Sequence, residues 1–198
     1  MTIELLNESP EQIVKTGINW RQFKALQAAF DGISGVRLNY CEGELEIVGI
    51  SKEHEAFRCL LALLLGAYFE EIGIEFFPSG SYSQVVEGVT EYQADLSYCL
   101  ETDKDIPDLS IEIVITSGSK KKLEKYRHKG VSEVWFWRKG KFALYQLEVQ
   151  GYVQISSSKV LAQMDIDLLA RCLSMPSSLE ALKTFRRAIA TGDEARLN

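Results

Sequence analysis

Two acidic residues stand where acids are costly. Glu112 lies inside Leu-Ser-Ile-Glu-Ile-Val-Ile (109–115), among apolar and mostly β-branched neighbours. Such a run reads as a central strand covered on both faces. An ionised carboxylate there is strongly unfavourable unless it is paired or bound to a cation. Asp95 poses the same problem in Ala-Asp-Leu-Ser-Tyr-Cys-Leu (94–100). The two-residue period puts Asp95, Ser97 and Cys99 on one face and Leu96, Tyr98 and Leu100 on the other. Ser110, Glu112 and Val114 share one face of the later strand in the same way. If the two strands are neighbours, Asp95 and Glu112 point into one pocket. Two convergent carboxylates suit a hard divalent ion such as Mg²⁺ or Mn²⁺, which can polarise a phosphate and acidify a bound water. A carboxylate paired with Lys or Arg at a strand end fits the pattern equally well.

Basic residues follow immediately. Lys120, Lys121 and Lys122 open the next expected helix. Cations at a helix N-terminus oppose its dipole, so nearby carboxylates or a bound phosphate would offset them. Lys122 and Lys125 are three apart and adjacent on one helix face; either can reach the pocket of Glu112, or both can form a solvated basic end. His54, near another helix start, is a candidate polar site residue, with a cap or surface role as the alternative. His128 reads as solvated. The chain has no HExxH, GxSxG, GxxxxGK[ST] or GxGxxG pattern, which removes the zincin, serine-hydrolase, P-loop and dinucleotide-binding readings.

The elements that must position these residues are legible from periodicity. Trp20 to Phe30 reads as a helix capped by Asn19. Val36–Tyr40 and Glu44–Val48 flank a turn at Cys41-Glu42-Gly43 and form a hairpin. Ser51 to Ile72 is the strongest helix, with Leu60, Leu61, Leu64, Leu65 and Tyr68 on its apolar face and Gly73 to end it. Strands are predicted at 74–77, 82–86, 94–100 and 109–116, then a helix over 119–129 stopped by Gly130. Strands at 133–138, 142–148 and 152–156 follow, with helices at 165–172 and 178–190. Trp135, Phe136 and Trp137 alternate faces, so both faces of their strand are covered. This order predicts an α/β fold with a mixed central sheet flanked by helices.

Bulk properties narrow the class. The 198 residues are enough for one domain with a substantial core and short for two. No apolar run approaches the length of a membrane span. The N-terminal MTIELLNESPEQ is acidic, unlike a signal peptide, so the expected compartment is the cytoplasm. Cys41, Cys59, Cys99 and Cys172 are scattered and form no CxxC pair, so they read as small core residues. The net charge of −6 argues against a dedicated nucleic-acid-binding protein. It leaves room for an enzyme that meets DNA through a local basic patch.

The stretch PDLSIEIVITSGSKKKLEKYRHKGVSEVWFW (107–137), together with GELEIVGISKEHE (43–55) and EYQADLSYCL (91–100), resembles the restriction-endonuclease-like family called Uma-two, of the PD-(D/E)XK nuclease superfamily. The resemblance spans roughly residues 15 to 150. It implies a restriction endonuclease-like core, with a C-terminal helical extension over about 160–198 completing a single domain of residues 1–198. It also implies that Asp95 and Glu112 bind Mg²⁺ or Mn²⁺, that Lys122 is the lysine carried on the helix, with Lys125 or Lys121 as substitutes, and that His54 and Glu44 lie near the site. Two positions depart from the pattern: Ala94 replaces the proline before the aspartate, and Val114 replaces the superfamily's strand lysine. The function implied is metal-dependent hydrolysis of DNA phosphodiester bonds, with a homodimer as a family-level expectation. The competing reading is an interaction or scaffold module that kept the fold and lost the chemistry.

Overall fold

Local signals in the sequence set the element boundaries. The computed structural model of the chain describes residues 12–80, 82–114 and 122–194. Strand β1 (Gln12–Thr16) precedes helix α1 (Trp20–Ala29). The Asn19 side chain accepts from the Gln22 backbone N–H and the Gln22 side chain returns the bond to the Asn19 N–H, a complete capping box. Strands β2 (Val36–Cys41) and β3 (Glu44–Gly49) are joined by Glu42 and Gly43, both left-handed at φ 46° and 85°. That turn matches the right-handed twist of the strands. Helix α2 (Lys52–Ile72) begins where Ser51 Oγ accepts the backbone N–H of His54 and ends at left-handed Gly73.

Short strands β4 (Phe76–Pro78), β5 (Gln84–Val86) and β6 (Thr90–Tyr92) lead to β7 (Leu96–Leu100) and β8 (Leu109–Ile113). Helix α3 (Lys122–Lys129), β9 (Glu133–Arg138), β10 (Lys141–Glu148), β11 (Gly151–Ile155), α4 (Ile166–Leu173) and α5 (Ser178–Glu194) complete the described chain. The expected strand end at Ile115 and Thr116, and the helix start with Lys120 and Lys121, lie outside the described residues.

Among the described residues the strands form two sheets. One, in the order β11-β10-β9-β8-β7-β4, is mixed: β8 and β9 run parallel and every other neighbouring pair antiparallel. A parallel pair needs a crossover, and the segment carrying α3 is that crossover. The other sheet, in the order β1-β3-β2-β6-β5, is antiparallel throughout. The α/β expectation with a mixed sheet holds. The second sheet extends it, because β1 and β6 join the β2–β3 hairpin through pairings distant in sequence, such as Gln12 with Val48 and Tyr40 with Glu91.

The main core lies on one face of the mixed sheet. Leu61, Leu64, Leu65 and Phe69 of α2 pack on Leu109, Ile111 and Trp135, and the same cluster takes in Leu169, Cys172 and Phe185 of α4 and α5. The opposite face carries Tyr92, Ala94, Leu123, Tyr126, Val131 and Val134. Trp135 and Trp137 turn to the first cluster and Phe136 to the second, so both faces of β9 are covered. The cysteines divide. Cys99 and Cys172 are buried, Cys41 is half-buried and Cys59 is exposed, and all four are free thiols. Cys59 lies on α2 next to the core-facing Leu60 and Leu61 but turns to solvent. His128 is also not simply solvated: its Nε2 lies 3.0 Å from Glu42 Oε1.

Candidate functional site

The two costly acids meet because β7 and β8 are neighbours. Their register pairs Leu96 with Ile111, so one step further Asp95 stands beside Glu112. The Ile113 backbone N–H donates to Asp95 Oδ2 at 2.7 Å and fixes the junction. Asp95 is 2% exposed and Glu112 8%, yet both line one cleft. The antiparallel sheet forms the far wall through Arg37 and Asn39 of β2 and Glu46 and Val48 of β3, while His54 of α2 and Lys122 and Lys125 of α3 also line it.

Each acid has its own partners. Asp95 Oδ1 accepts from Arg37 Nη1 at 2.5 Å, and Asp95 Oδ2 lies 3.0 Å from His54 Nε2. Glu112 Oε1 accepts from Lys125 Nζ at 2.8 Å and from the Tyr126 hydroxyl. Glu46 lies 3.2 Å from Lys122 Nζ through Oε1, accepts from Asn39 Nδ2 at 3.0 Å through Oε2, and also accepts from the Gln12 side chain. Lys125 is 4% exposed. Its ammonium lies 5.2 Å from the Tyr92 ring centre and 5.1 Å from that of Tyr126, within cation–π range.

These contacts set the protonation states. Burial opposes the charge on Asp95, but the hydrogen bond and charge of His54, the Ile113 N–H and Arg37 outweigh it and hold the carboxyl below its ordinary range. Burial likewise opposes charge on His54, and Asp95 reverses the balance upward. Lys125 is pulled down by burial and pushed further up by Glu112 and Glu46, which keeps it cationic. For Glu46, burial raises the pKa while Lys125, Lys122 and Asn39 lower it more, leaving it below the ordinary value of 4.5.

A depressed carboxyl contributes stability that is present above its unfolded pKa and lost as pH falls through the folded one. The stability gap between wild type and Glu46→Gln is therefore full at neutral pH and closes as pH drops below 4.5. Urea denaturation of both proteins across the acid range checks this, and a gap that widens on acidification would contradict it.

Of the positions singled out in the sequence, the cleft brings together Asp95, Glu112, Lys122, Lys125 and His54. Glu44 is not among its lining residues; Glu46, two positions along the same face of β3, is. Lys125 rather than Lys122 contacts Glu112. Glu46, Arg37 and Tyr126 were not singled out in the sequence. The alternation Glu44-Leu45-Glu46 carried a signal for the first, since both acids share a face.

The donor chemistry fits a hard divalent cation. Two carboxylates on adjacent strands face one cleft, and Mg²⁺ is commonly held by one or two carboxylates with water and substrate phosphate completing its shell. Among the described residues no group of three or more His, Cys, Asp and Glu encloses a metal position, so the protein would supply only part of the shell.

The sequence profile of the family described as "Uma2: Putative restriction endonuclease" matches residues 20–176. No curated protein matches the chain. Among solved structures, "a putative nuclease belonging to DUF820 from Anabaena variabilis ATCC 29413" is similar at 15% identity and a TM-score of 0.49, over 85% of this chain and 99% of that one.

Proposed function

From the premise that this chain belongs to the Uma2 family, we propose that it is a divalent-metal-dependent endonuclease that hydrolyses DNA phosphodiester bonds. The observation that carries the reading is the pair Asp95 and Glu112, buried on adjacent strands and facing one cleft beside a buried, cationic Lys125. Asp95 and Glu112 would hold Mg²⁺ or Mn²⁺, which when bound polarises a phosphate and lowers the pKa of a water. His54 and the Ile113 N–H orient Asp95, as hydrogen-bonded neighbours orient metal ligands generally. Lys125 keeps a fixed positive charge at the cleft, where it stabilises negative charge growing on the phosphate. Lys122, on the same helix, pairs with Glu46 of the antiparallel sheet and is more exposed, with 18% of its side chain accessible, which suits contact with a neighbouring phosphate.

DNA is met locally through these cations, which reconciles the substrate with a net charge of −6. We read the chain as one domain because α4 and α5 share the core of α2 and the mixed sheet. A homodimer rests on the family resemblance. No helix among the described residues is long and apolar enough to cross a membrane.

A second reading, a nuclease fold without the chemistry, is favoured by one observation. Among the described residues, each acid lining the cleft already has a protein cation: Arg37 on Asp95, Lys125 on Glu112 and Lys122 on Glu46.

The deciding assay is cleavage of single- and double-stranded DNA and RNA with Mn²⁺ or Mg²⁺, with Asp95→Asn in parallel. Cleavage of DNA that needs the metal and is lost in the variant is the expected result. No cleavage on the whole panel, with no change in melting temperature on adding Mn²⁺, transfers the assignment to the scaffold reading.

A further inference from the structure

We propose that Arg37 is an exchangeable cation: it neutralises Asp95 while no metal ion is bound, and turns to the substrate phosphate when one is. This rests on the metal-dependent reading above. Among the described residues, the three acids lining the cleft are matched by Arg37, Lys122 and Lys125, and Arg37 differs from the other two in ways that permit it to move.

Lys125 is packed against two aromatic rings and buried beneath the cleft. Lys122 pairs with Glu46, which is not one of the two acids read as metal ligands. Arg37 comes from the antiparallel sheet and reaches across to Asp95, just before β7 of the mixed sheet. Its side chain is 13% exposed. A second acceptor waits on its other side: Nη2 lies 4.0 Å from Glu55 Oε1, on a carboxylate that is 37% exposed and already held by Arg58 at 2.8 Å. The guanidinium therefore has a place to lean when Asp95 is taken from it.

Two facts of charge make the exchange favourable. A carboxylate that serves a divalent ion no longer neutralises a neighbouring arginine, and the like charges repel. With Asp95, Glu46 and Glu112 each already paired to a protein cation, adding a divalent cation leaves an excess of positive charge that an anion can match. The planar fork of arginine presents paired donors to two phosphate oxygens. Metal and phosphate then strengthen each other's binding, and by linkage the factor is the same in both directions.

The test is calorimetry of Mn²⁺ binding to the full-length chain, with and without saturating thymidine 5′-monophosphate, on wild type, Arg37→Gln and Arg37→Lys. In wild type the nucleotide is expected to tighten Mn²⁺ binding on the order of tenfold. In Arg37→Gln, Mn²⁺ alone binds several-fold tighter than in wild type, and the nucleotide no longer helps. Arg37→Lys keeps the charge and loses the fork, so it retains wild-type Mn²⁺ affinity and loses most of the coupling. It also keeps the question open to measurement if the Gln variant does not fold. Wild-type Mn²⁺ binding with full coupling retained in either variant overturns the role of Arg37 alone. A wild type that binds no Mn²⁺ overturns the metal-dependent reading with it.

Discussion

Glu112→Gln is expected to abolish Mn²⁺ binding and to reduce DNA cleavage on the order of a thousandfold, the scale of losing about 4 kcal/mol of transition-state charge stabilisation. The substitution is nearly isosteric, and its amide oxygen can still accept from Lys125 and from the Tyr126 hydroxyl. What disappears is the negative charge. The buried Lys125 then has no counter-charge on β8, and the fold should lose about 1–3 kcal/mol. Both effects are read on one preparation, by calorimetry with Mn²⁺ and by urea denaturation. Unchanged Mn²⁺ affinity in a folded Glu112→Gln protein would remove Glu112 from the metal site.

The second large effect separates the two lysines of α3. Removing Lys125 alone leaves the buried Glu112 without its counter-charge, with only the Tyr126 hydroxyl still donating to it, a situation that costs about 3–5 kcal/mol. Lys125→Met should therefore lower the urea midpoint sharply, whereas Lys122→Met, at a more exposed position, should cost under about 1 kcal/mol. The double change Lys125→Met with Glu112→Leu should recover part of the loss, because replacing both members of a buried pair by apolar groups is often neutral or better, while the Tyr126 hydroxyl is left without its acceptor. Activity divides along the same line. Cleavage falls further in Lys125→Met than in Lys122→Met if the buried lysine stabilises charge on the phosphate. The reverse order would assign that role to Lys122, the position the family resemblance marks.

The residues that could be found from sequence were those that broke a pattern. Asp95 and Glu112 interrupt apolar strands, so their anomaly is visible without a neighbour. Helices α1 and α2 announced themselves through Asn19, Ser51 and Gly73, whose side chains or φ angles close the helix ends locally. Glu46 and Arg37 stayed hidden for the opposite reason. In an isolated hairpin, alternating polar residues look like an ordinary solvated face. They become cleft wall only because β1 and β6 complete a second sheet, and the register of Gln12 with Val48 or Tyr40 with Glu91 leaves no local trace. The choice between Lys122 and Lys125 depends on the roll of α3 about its own axis. Burial of Leu123 and Tyr126 sets that roll, and spacing alone leaves both lysines on adjacent parts of one face. Cys59 shows the limit of composition: a cysteine among leucines, on the outer side of a helix.

The separation of the two sheets has a consequence for how the protein comes into being. Arg37 and Asp95 are 58 residues apart, and His54 and Asp95 are 41 apart. Contacts of that range close late, because the entropy of a long loop must be spent before any contact repays it. When Arg37 and His54 leave the ribosome, the aspartate they will hold has not been synthesised, and the lysines of α3 come later still. On the nuclease reading proposed above, the chain is thus inert throughout its own synthesis. The cleft itself arrives only with the finished tertiary structure.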